Sequence, residues 1–311
     1  MTTVTITDDA VATDVIGVEK LSRRFGRTQA ADHISFTVPP GTICGFVGPN
    51  GAGKTTTIRM LMGLLKPTGG RARVLGLDPQ RQGRTLRDQV AYVPENHHFY
   101  QWMKVAQVLE FGRRIFSRWD ARECAELTDR LGLPRGRMVK ELSRGETAKL
   151  ALTLALSHSA SLLILDEPTV GLDPLVRREF TDLILERAVN RGMTVFFSTH
   201  ILSDLEQTAG RLILINKGRI VTADSVENLR GRFVKAGFLF RQPPDPSTPV
   251  PGALHVTRGF REWIALFPAH EGVCEKAAAA LQAMDCMPQP VTLEEVFLEL
   301  INQQAEGPCE G

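Results

Sequence analysis

The sequence predicts an α/β fold with three attachments: an antiparallel β subdomain, a helical insert and a small C-terminal α+β appendage. Short apolar runs at Thr42–Val47, Leu162–Leu165 and Thr194–Phe197 read as buried strands, and helical patterns alternate with them, as in a parallel sheet. Between Asn96 and Leu142 the pattern changes to helical spacing, in Val105-Leu109-Ile115 and Ala125-Leu127-Leu131. Near the end, Gln242–Pro251 contains Pro243, Pro244, Pro246, Pro249 and Pro251, which breaks both helix and ladder and marks a loop inside a separate small module.

Taken in order, Val15–Val38 holds two strand-like runs around a turn at Gly26, and Pro39-Pro40-Gly41 leads into the Thr42–Val47 strand. A helix is expected over Thr56–Leu65, stopped near Pro67. Arg71–Val93 carries short strands and a polar helix, and residues 96–145 form the insert. Alternation resumes through the Leu162 and Thr194 strands, then Leu212–Asn216 and a turn at Lys217-Gly218. This core domain spans 15–221, and 222–303 forms the appended module. In the module, strands are expected at Phe233–Phe240 and Leu254–Phe267, and helices at Cys274–Met284 and Thr292–Ile301. A frayed tail is expected over Gln303–Gly311, and no internal repeat is visible.

Composition narrows the class. The 311 residues are 43% hydrophobic and 23% charged, values of a globular chain able to bury one large core and a smaller one. A net charge of +2 argues against a dedicated nucleic-acid surface. Met1–Asp14 is polar and acidic, unlike a secretory signal, and no apolar run approaches membrane-spanning length, so a cytosolic chain is expected. Five scattered cysteines (Cys44, Cys124, Cys274, Cys286, Cys309) without C-x-x-C spacing make a zinc site or disulfide framework an unfavoured reading.

The chemistry enters at Gly48-Pro49-Asn50-Gly51-Ala52-Gly53-Lys54-Thr55-Thr56, which fits the pattern G-x-x-x-x-G-K-[ST] between a strand and a helix. Its glycines let the backbone curl so that N–H groups point inward, and the helix N-terminus adds the positive end of its dipole. Asn50 and Ala52 belong to that cradle, Lys54 supplies a mobile charge for the β- and γ-phosphates, the Thr55 hydroxyl is placed for Mg²⁺, and Thr56 for the α-phosphate. The core is therefore a P-loop NTPase with a RecA-like sheet. Asp166 and Glu167 stand at the end of the Leu162 strand, where ligands of such sheets gather. Asp166 can hold Mg²⁺ through water, and Glu167 can polarise the water that attacks the γ-phosphate, since phosphoryl transfer needs mainly positioning and charge stabilisation.

Leu142-Ser143-Arg144-Gly145-Glu146, before a long apolar helix, resembles the Leu-Ser-Gly-Gly-Gln signature of the ATP-binding cassette family. The resemblance runs from Val15 to Val221 and its motifs recur in order. It implies that Phe25 stacks on adenine, that Glu95 stands in the Gln loop and contacts Mg²⁺ or water, that Val170-Gly171-Leu172-Asp173 is the D loop, and that His200 is the switch histidine. It further implies that two cassettes pair head to tail, with Ser143 and Gly145 facing the γ-phosphate bound by the partner, whether in a homodimer or beside a paired cassette. Three residues depart from the pattern: Arg144 for the first signature glycine, Glu146 for its glutamine, and Glu95 for the loop glutamine. A positive φ at Arg144 would cost of order 1 kcal/mol.

Val291–Leu298 resembles a motif near the end of ATPases in the drug and polymer export branch. An ATPase subunit that powers a separate membrane permease, held at the cytoplasmic face of the membrane and binding no nucleic acid, is the function this implies. Phe99-Tyr100-Gln101-Trp102-Met103 falls near the groove that receives the permease in relatives; packing of Phe99 and Trp102 inside the insert is the alternative. A cassette acting on DNA or ribosomes is the rival reading, although neither a long internal coiled coil nor a second cassette is present in these residues. A P-loop kinase or GTPase has no use for the signature or D loop.

Overall fold

A computed structural model describes residues 14–202, 205, 206 and 208–306. The chain divides between Ala223 and Asp224 into two compact units.

The first unit opens with the antiparallel strands β1 (Ile16–Phe25), β2 (Thr28–Val38) and, after α1 (Lys54–Leu61), β4 (Gly69–Val74), in the order β2-β1-β4. A six-stranded sheet joins β3 (Ile43–Val47), β5 (Val90–Val93), β6 (Leu162–Asp166), β7 (Thr194–Thr199), β8 (Arg211–Asn216) and β9 (Arg219–Ser225) in the order β5-β6-β7-β3-β8-β9. The pairs from β5 through β8 are parallel, and β6, β7 and β3 have near-continuous apolar sequences because both faces are buried. Register places Val47 beside Thr199 and Asp166 beside Ser198, so the C-terminal ends of β3, β6 and β7 meet along one edge.

Phe36 on β2 packs against Phe46 on β3 and Phe196 on β7 with ring centroids 5.7 and 6.0 Å away, and Phe46 lies 5.3 Å from Phe196. These rings, all buried, tie the antiparallel subdomain to the parallel sheet.

After α2 (Gly83–Arg87) and β5, the insert consists of α3 (Val105–Ile115), α4 (Ala121–Arg130) and a single 3₁₀ turn at Val139–Glu141. It leads into α5 (Arg144–Ser157), and α6 (Pro174–Arg191) follows β6. Buried Glu123 fastens α4 to α6 through Arg187 at 3.0 Å and Arg191 at 2.5 Å. The first helix starts two residues earlier than expected and stops at Leu61 rather than continuing to Leu65. Gly63, at φ +65°, turns the chain there, and the Leu64 amide bonds back to the Arg59 carbonyl.

The second unit begins with α7 (Val226–Arg230) and is built on a four-stranded antiparallel sheet. Its strands are β10 (Phe233–Leu239), β11 (His255–Arg258), β12 (Glu262–Pro268) and β13 (Asp285–Gln289), in the order β11-β12-β10-β13, with helices α8 (Val273–Leu281) and α9 (Leu293–Glu306). The segment expected as one strand over Leu254–Phe267 is a hairpin, because the chain turns through Gly259-Phe260 and pairs Arg258 with Trp263. The β13 strand was not expected; Pro288 within it fits only because β13 is an edge strand. Thr292 caps α9 reciprocally: the Glu295 amide donates to its Oγ1 at 3.3 Å, and its own amide donates to Glu295 Oε2 at 3.0 Å. The Thr-x-x-Glu in the export-branch motif is thus a capping box. Of the expected tail, residues 307–311 lie outside the described residues.

Removing the ring that joins the two sheets of the first unit tests this account of its core. Phe196→Ala should lower the free energy of unfolding by about 3–5 kcal/mol, read as a lower urea midpoint at unchanged slope. A loss below about 1 kcal/mol would show that the ring does not hold the two sheets together.

Candidate functional site

The loop after β3 forms the floor of a cleft of about 370 Å³. Gly53 caps α1 at φ +109°, and a Cβ there would lie 2.2 Å from the Ala30 carbonyl oxygen; a Cβ on Gly48 would lie 2.2 Å from that of Ile215. Both positions therefore require glycine for close approach to neighbouring strands, and Gly53 for its backbone shape as well. No acidic residue occupies the first turn of α1, which leaves the positive end of the helix dipole facing the cleft.

Of the residues expected from sequence, Asn50, Gly51, Gly53, Lys54, Thr55, Thr56, Glu95, Glu167 and His200 line this cleft. Gly48 and Ala52 support the loop from behind: the Ala52 amide donates to the Pro49 carbonyl at 3.1 Å, and Ala52 is buried. Val170, the first residue of the Val170–Asp173 motif, also lines the cleft, as do Thr28, Gln29 and Ala30, which carry no sequence motif of their own and come from the β1–β2 hairpin, brought over the phosphate loop by the Phe36–Phe46–Phe196 packing.

Lys54, only 5% exposed, donates to the Gly48 carbonyl at 2.6 Å and the Pro49 carbonyl at 3.1 Å, and its Nζ lies 3.0 Å from Glu167 Oε1. The other Glu167 oxygen lies 2.8 Å from His200 Nδ1. Lysine, carboxylate and imidazole thus form one continuous polar chain. Glu167 sits at φ +48°, a left-handed backbone that costs a non-glycine residue of order 1–3 kcal/mol and is common at functional sites. Its amide donates to both the carbonyl and the Oγ of Ser198, at 3.1 and 3.0 Å.

Asp166 Oδ1 accepts from Thr55 Oγ1 at 3.1 Å and Ser198 Oγ at 2.9 Å. Its Oδ2 is buried without a hydrogen-bond partner. Burial raises the Asp166 pKa above the usual carboxylate range, the two hydroxyls oppose that shift, and the charges of Glu95 and Glu167 add to it. A hydroxyl, an orphaned carboxylate oxygen and a further carboxylate at Glu95 make a hard oxygen donor set in a negative field, which fits Mg²⁺. Ser198, which orients Asp166 and Glu167 together, was missed in sequence because a serine inside a core strand resembles filler.

Ser143, Gly145 and Asp173 do not line the cleft of their own chain. Ser143 caps α5, accepting from the Glu146 amide at 3.1 Å while its own amide donates to Glu146 Oε2 at 2.7 Å. That amide and the Ser143 hydroxyl hold the Glu146 carboxyl below its ordinary range. Arg144 occupies the first turn of α5 with no positive φ, so the strain considered from sequence does not arise. Its guanidinium lies across Gly171, where an added Cβ would come within 2.3 Å of Nη1, and it makes no ion pair among the described residues. The Asp173 carboxylate caps α6 by accepting from the Leu175 and Val176 amides at 3.1 and 3.0 Å.

Phe25 stands at the end of β1, half exposed and outside the residues lining the cleft, although its register partner Thr28 lines it. Tyr100 and Trp102 are 60% and 68% exposed with ring centroids 5.7 Å apart, which sets aside the alternative that Trp102 packs inside the insert.

A profile of the ABC transporter family matches residues 31–170. The chain is 34% identical over 238 residues to the probable multidrug ABC transporter ATP-binding protein YbhF of Escherichia coli, covering 75% of this chain but only 40% of YbhF. It is 34% identical over 220 residues to the bacitracin transport ATP-binding protein BcrA of Bacillus licheniformis, covering 70% and 72% of the two chains. With the daunorubicin/doxorubicin resistance ATP-binding protein DrrA of Streptomyces peucetius it shares 35% over 223 residues, 70% of this chain and 67% of that one. Among solved structures, an ATP-binding subunit of an ABC transporter superposes with a TM-score of 0.64 at 26% identity, over 70% of this chain and 92% of that one. A bacterial ABC transporter cassette solved as a dimer gives a TM-score of 0.61 at 19% identity, over 68% and 98%, a likeness of fold alone.

The Asp166 environment makes a pH-dependent prediction. A carboxyl whose folded pKa is raised binds its proton more readily folded than unfolded, so it favours folding below its unfolded pKa and loses that contribution as pH rises through the folded value. At pH 7 its ionised form is a net cost to the protein without ligand. Asp166→Asn should therefore raise the thermal midpoint of the nucleotide-free protein at pH 7, with the gain shrinking on acidification to pH 4, while Mg²⁺ affinity is lost. An unchanged or lower midpoint at pH 7 would contradict this account.

Proposed function

This chain belongs to the ABC transporter family, and on that premise we propose that it binds Mg-ATP in the cleft above the 48–56 loop and hydrolyses it to drive a separate membrane permease. The single observation carrying the reading is the polar chain from buried Lys54 and Glu167 to His200 at the cleft surface, beside Asp166 and Thr55, which gathers a phosphate-binding cation, a general base and a metal-binding pair along one sheet edge.

The proposed roles follow from these contacts. Lys54 binds the β- and γ-phosphates once it exchanges the Gly48 and Pro49 carbonyls for them. That exchange releases Glu167, which then accepts the proton of the attacking water. His200, already oriented by Glu167, donates to the γ-phosphate as that carboxylate turns away. Mg²⁺ would be held by Thr55 and Asp166, with Glu95 beside them, and when bound it neutralises charge on the phosphates. Phe25 stacks on the base; Ser143, Gly145 and Asp173 act on a partner cassette, in a homodimer or a heterodimer, which their absence from their own cleft supports.

The ATPase domain is assigned to 15–221 and the appended module to 222–303, close to the division between Ala223 and Asp224. The relatives named for bacitracin transport and for drug resistance favour export, at the cytoplasmic face of a membrane. Among the described residues no helix is long and apolar enough to cross a membrane. The exposed Tyr100–Trp102 pair is the proposed place where the permease docks.

Glu167→Gln tests the assignment. The amide oxygen preserves a contact for Lys54, so Mg-ATP binding should persist, while phosphate release should slow by roughly a hundred- to ten-thousand-fold and gel filtration with ATP should show a dimer. Turnover at the wild-type rate would remove Glu167 from the base role.

A further inference from the structure

The exposed ring of Phe25 has a fixed neighbour. The Arg23 guanidinium carbon lies 4.5 Å from the centroid of that ring. Its Nη1 donates to the Lys66 carbonyl at 2.7 Å, which ties this end of β1 to the segment between α1 and β4. Its Nε is buried without a hydrogen-bond partner. A buried N–H donor left without an oxygen partner is ordinarily unfavourable, and contact with the negative face of an aromatic ring is one of the few compensations open to it. The Arg23 side chain is therefore anchored at one nitrogen while its guanidinium carbon sits over one side of the Phe25 ring. With 45% of Phe25 exposed, the opposite side of the ring remains open to solvent beside Thr28, its register partner at the mouth of the cleft.

We propose that Arg23 is a positioning residue for the nucleoside base: it holds Phe25 from behind so that a purine stacks on the free face, giving a layer of cation, ring and base. The proposal rests on the Mg-ATP reading of the cleft and adds a residue that never touches the nucleotide. An exposed phenylalanine samples several rotamers, and a ligand that stacks on it must immobilise it; a guanidinium already holding the ring removes that requirement. The cation also draws electron density through the ring, which favours an electron-rich purine over a pyrimidine on the opposite face. Arg23 is absent from the residues lining the cleft where the triphosphate would lie, so its effect should be confined to the base.

Binding of Mg-ATP, Mg-CTP and Mg-tripolyphosphate to the full chain, measured by calorimetry, separates these contributions. Arg23→Ala and Arg23→Met should each weaken Mg-ATP by about three- to tenfold and leave Mg-tripolyphosphate unchanged. They should also narrow the preference for ATP over CTP. Arg23→Lys, which keeps a cation without the planar fork, should recover part of the loss. Phe25→Ala should weaken Mg-ATP at least as much, and the Arg23→Ala/Phe25→Ala double variant should be no weaker than Phe25→Ala alone. Arg23→Met retains the aliphatic stem, so it remains informative should the alanine variant fail to fold.

Wild-type Mg-ATP affinity in both Arg23→Ala and Arg23→Met, beside a weakened Phe25→Ala, would overturn the role of Arg23 while leaving the cleft reading intact. Equal losses on Mg-tripolyphosphate would overturn it as well, by showing a general disturbance of the loop. If Phe25→Ala binds Mg-ATP like the wild type, the base does not stack there and the inference fails. If the unaltered chain binds neither Mg-ATP nor Mg-tripolyphosphate, the failure belongs to the proposed function itself.

Discussion

The burial of opposite charges at the ends of three parallel strands is the constraint on which the rest of this structure depends. Lys54, Asp166 and Glu167 are all less than about a tenth exposed, and charge in such surroundings must be paired, hydrogen-bonded or displaced in pKa. Lys54 and Glu167 satisfy each other; Asp166 is satisfied on one oxygen only and carries a raised pKa. The lysine's neutral partners are two backbone carbonyls, and one Asp166 carboxylate oxygen has no hydrogen-bond partner. A phosphate and a divalent cation are the chemical species that would complete this arrangement.

In the proposed mechanism, the Lys54–Glu167 pair would couple recognition to catalysis. The lysine cannot turn fully toward a triphosphate while it neutralises the glutamate, and the glutamate cannot act as a base while it neutralises the lysine. His200 extends the coupling to the end of β7, and Ser198 extends it to Asp166 through the peptide that both carboxylates share. Glu167 has left-handed backbone, and the two consecutive carboxylates have different partners: Lys54 and His200 for Glu167, Thr55 and Ser198 for Asp166.

The departures in the signature have a local physical explanation. Glu146 completes a capping box with Ser143, a task a carboxylate performs at a helix N-terminus as well as a glutamine does, with favourable dipole interaction besides. Arg144 keeps helical geometry and lays its guanidinium on the D-loop glycine, joining two segments the sequence separates. Its charge, after burial, helps to lower the pKa of His97, just beyond Glu95. The Thr292–Glu295 box in the C-terminal unit shows the same economy: what reads as a family motif is also a helix start.

Nucleotide chemistry was legible from the chain alone because the phosphate cradle is local: its glycines, Lys54 and Thr55 lie within nine consecutive residues, and strand and helix patterns on either side are dictated by neighbouring residues. Helix and strand types were legible for the same reason, while the ends of α1 and the hairpin within Leu254–Phe267 depended on turn geometry that periodicity does not encode. What only tertiary structure decided is which distant groups meet. Thr55 to Asp166, Lys54 to Glu167 and Arg144 to Gly171 are contacts between residues remote in sequence. The first two form because parallel pairing of β6, β7 and β3 brings the same ends of separate strands together, and a linear pattern records the residues available without the order in which a sheet assembles them.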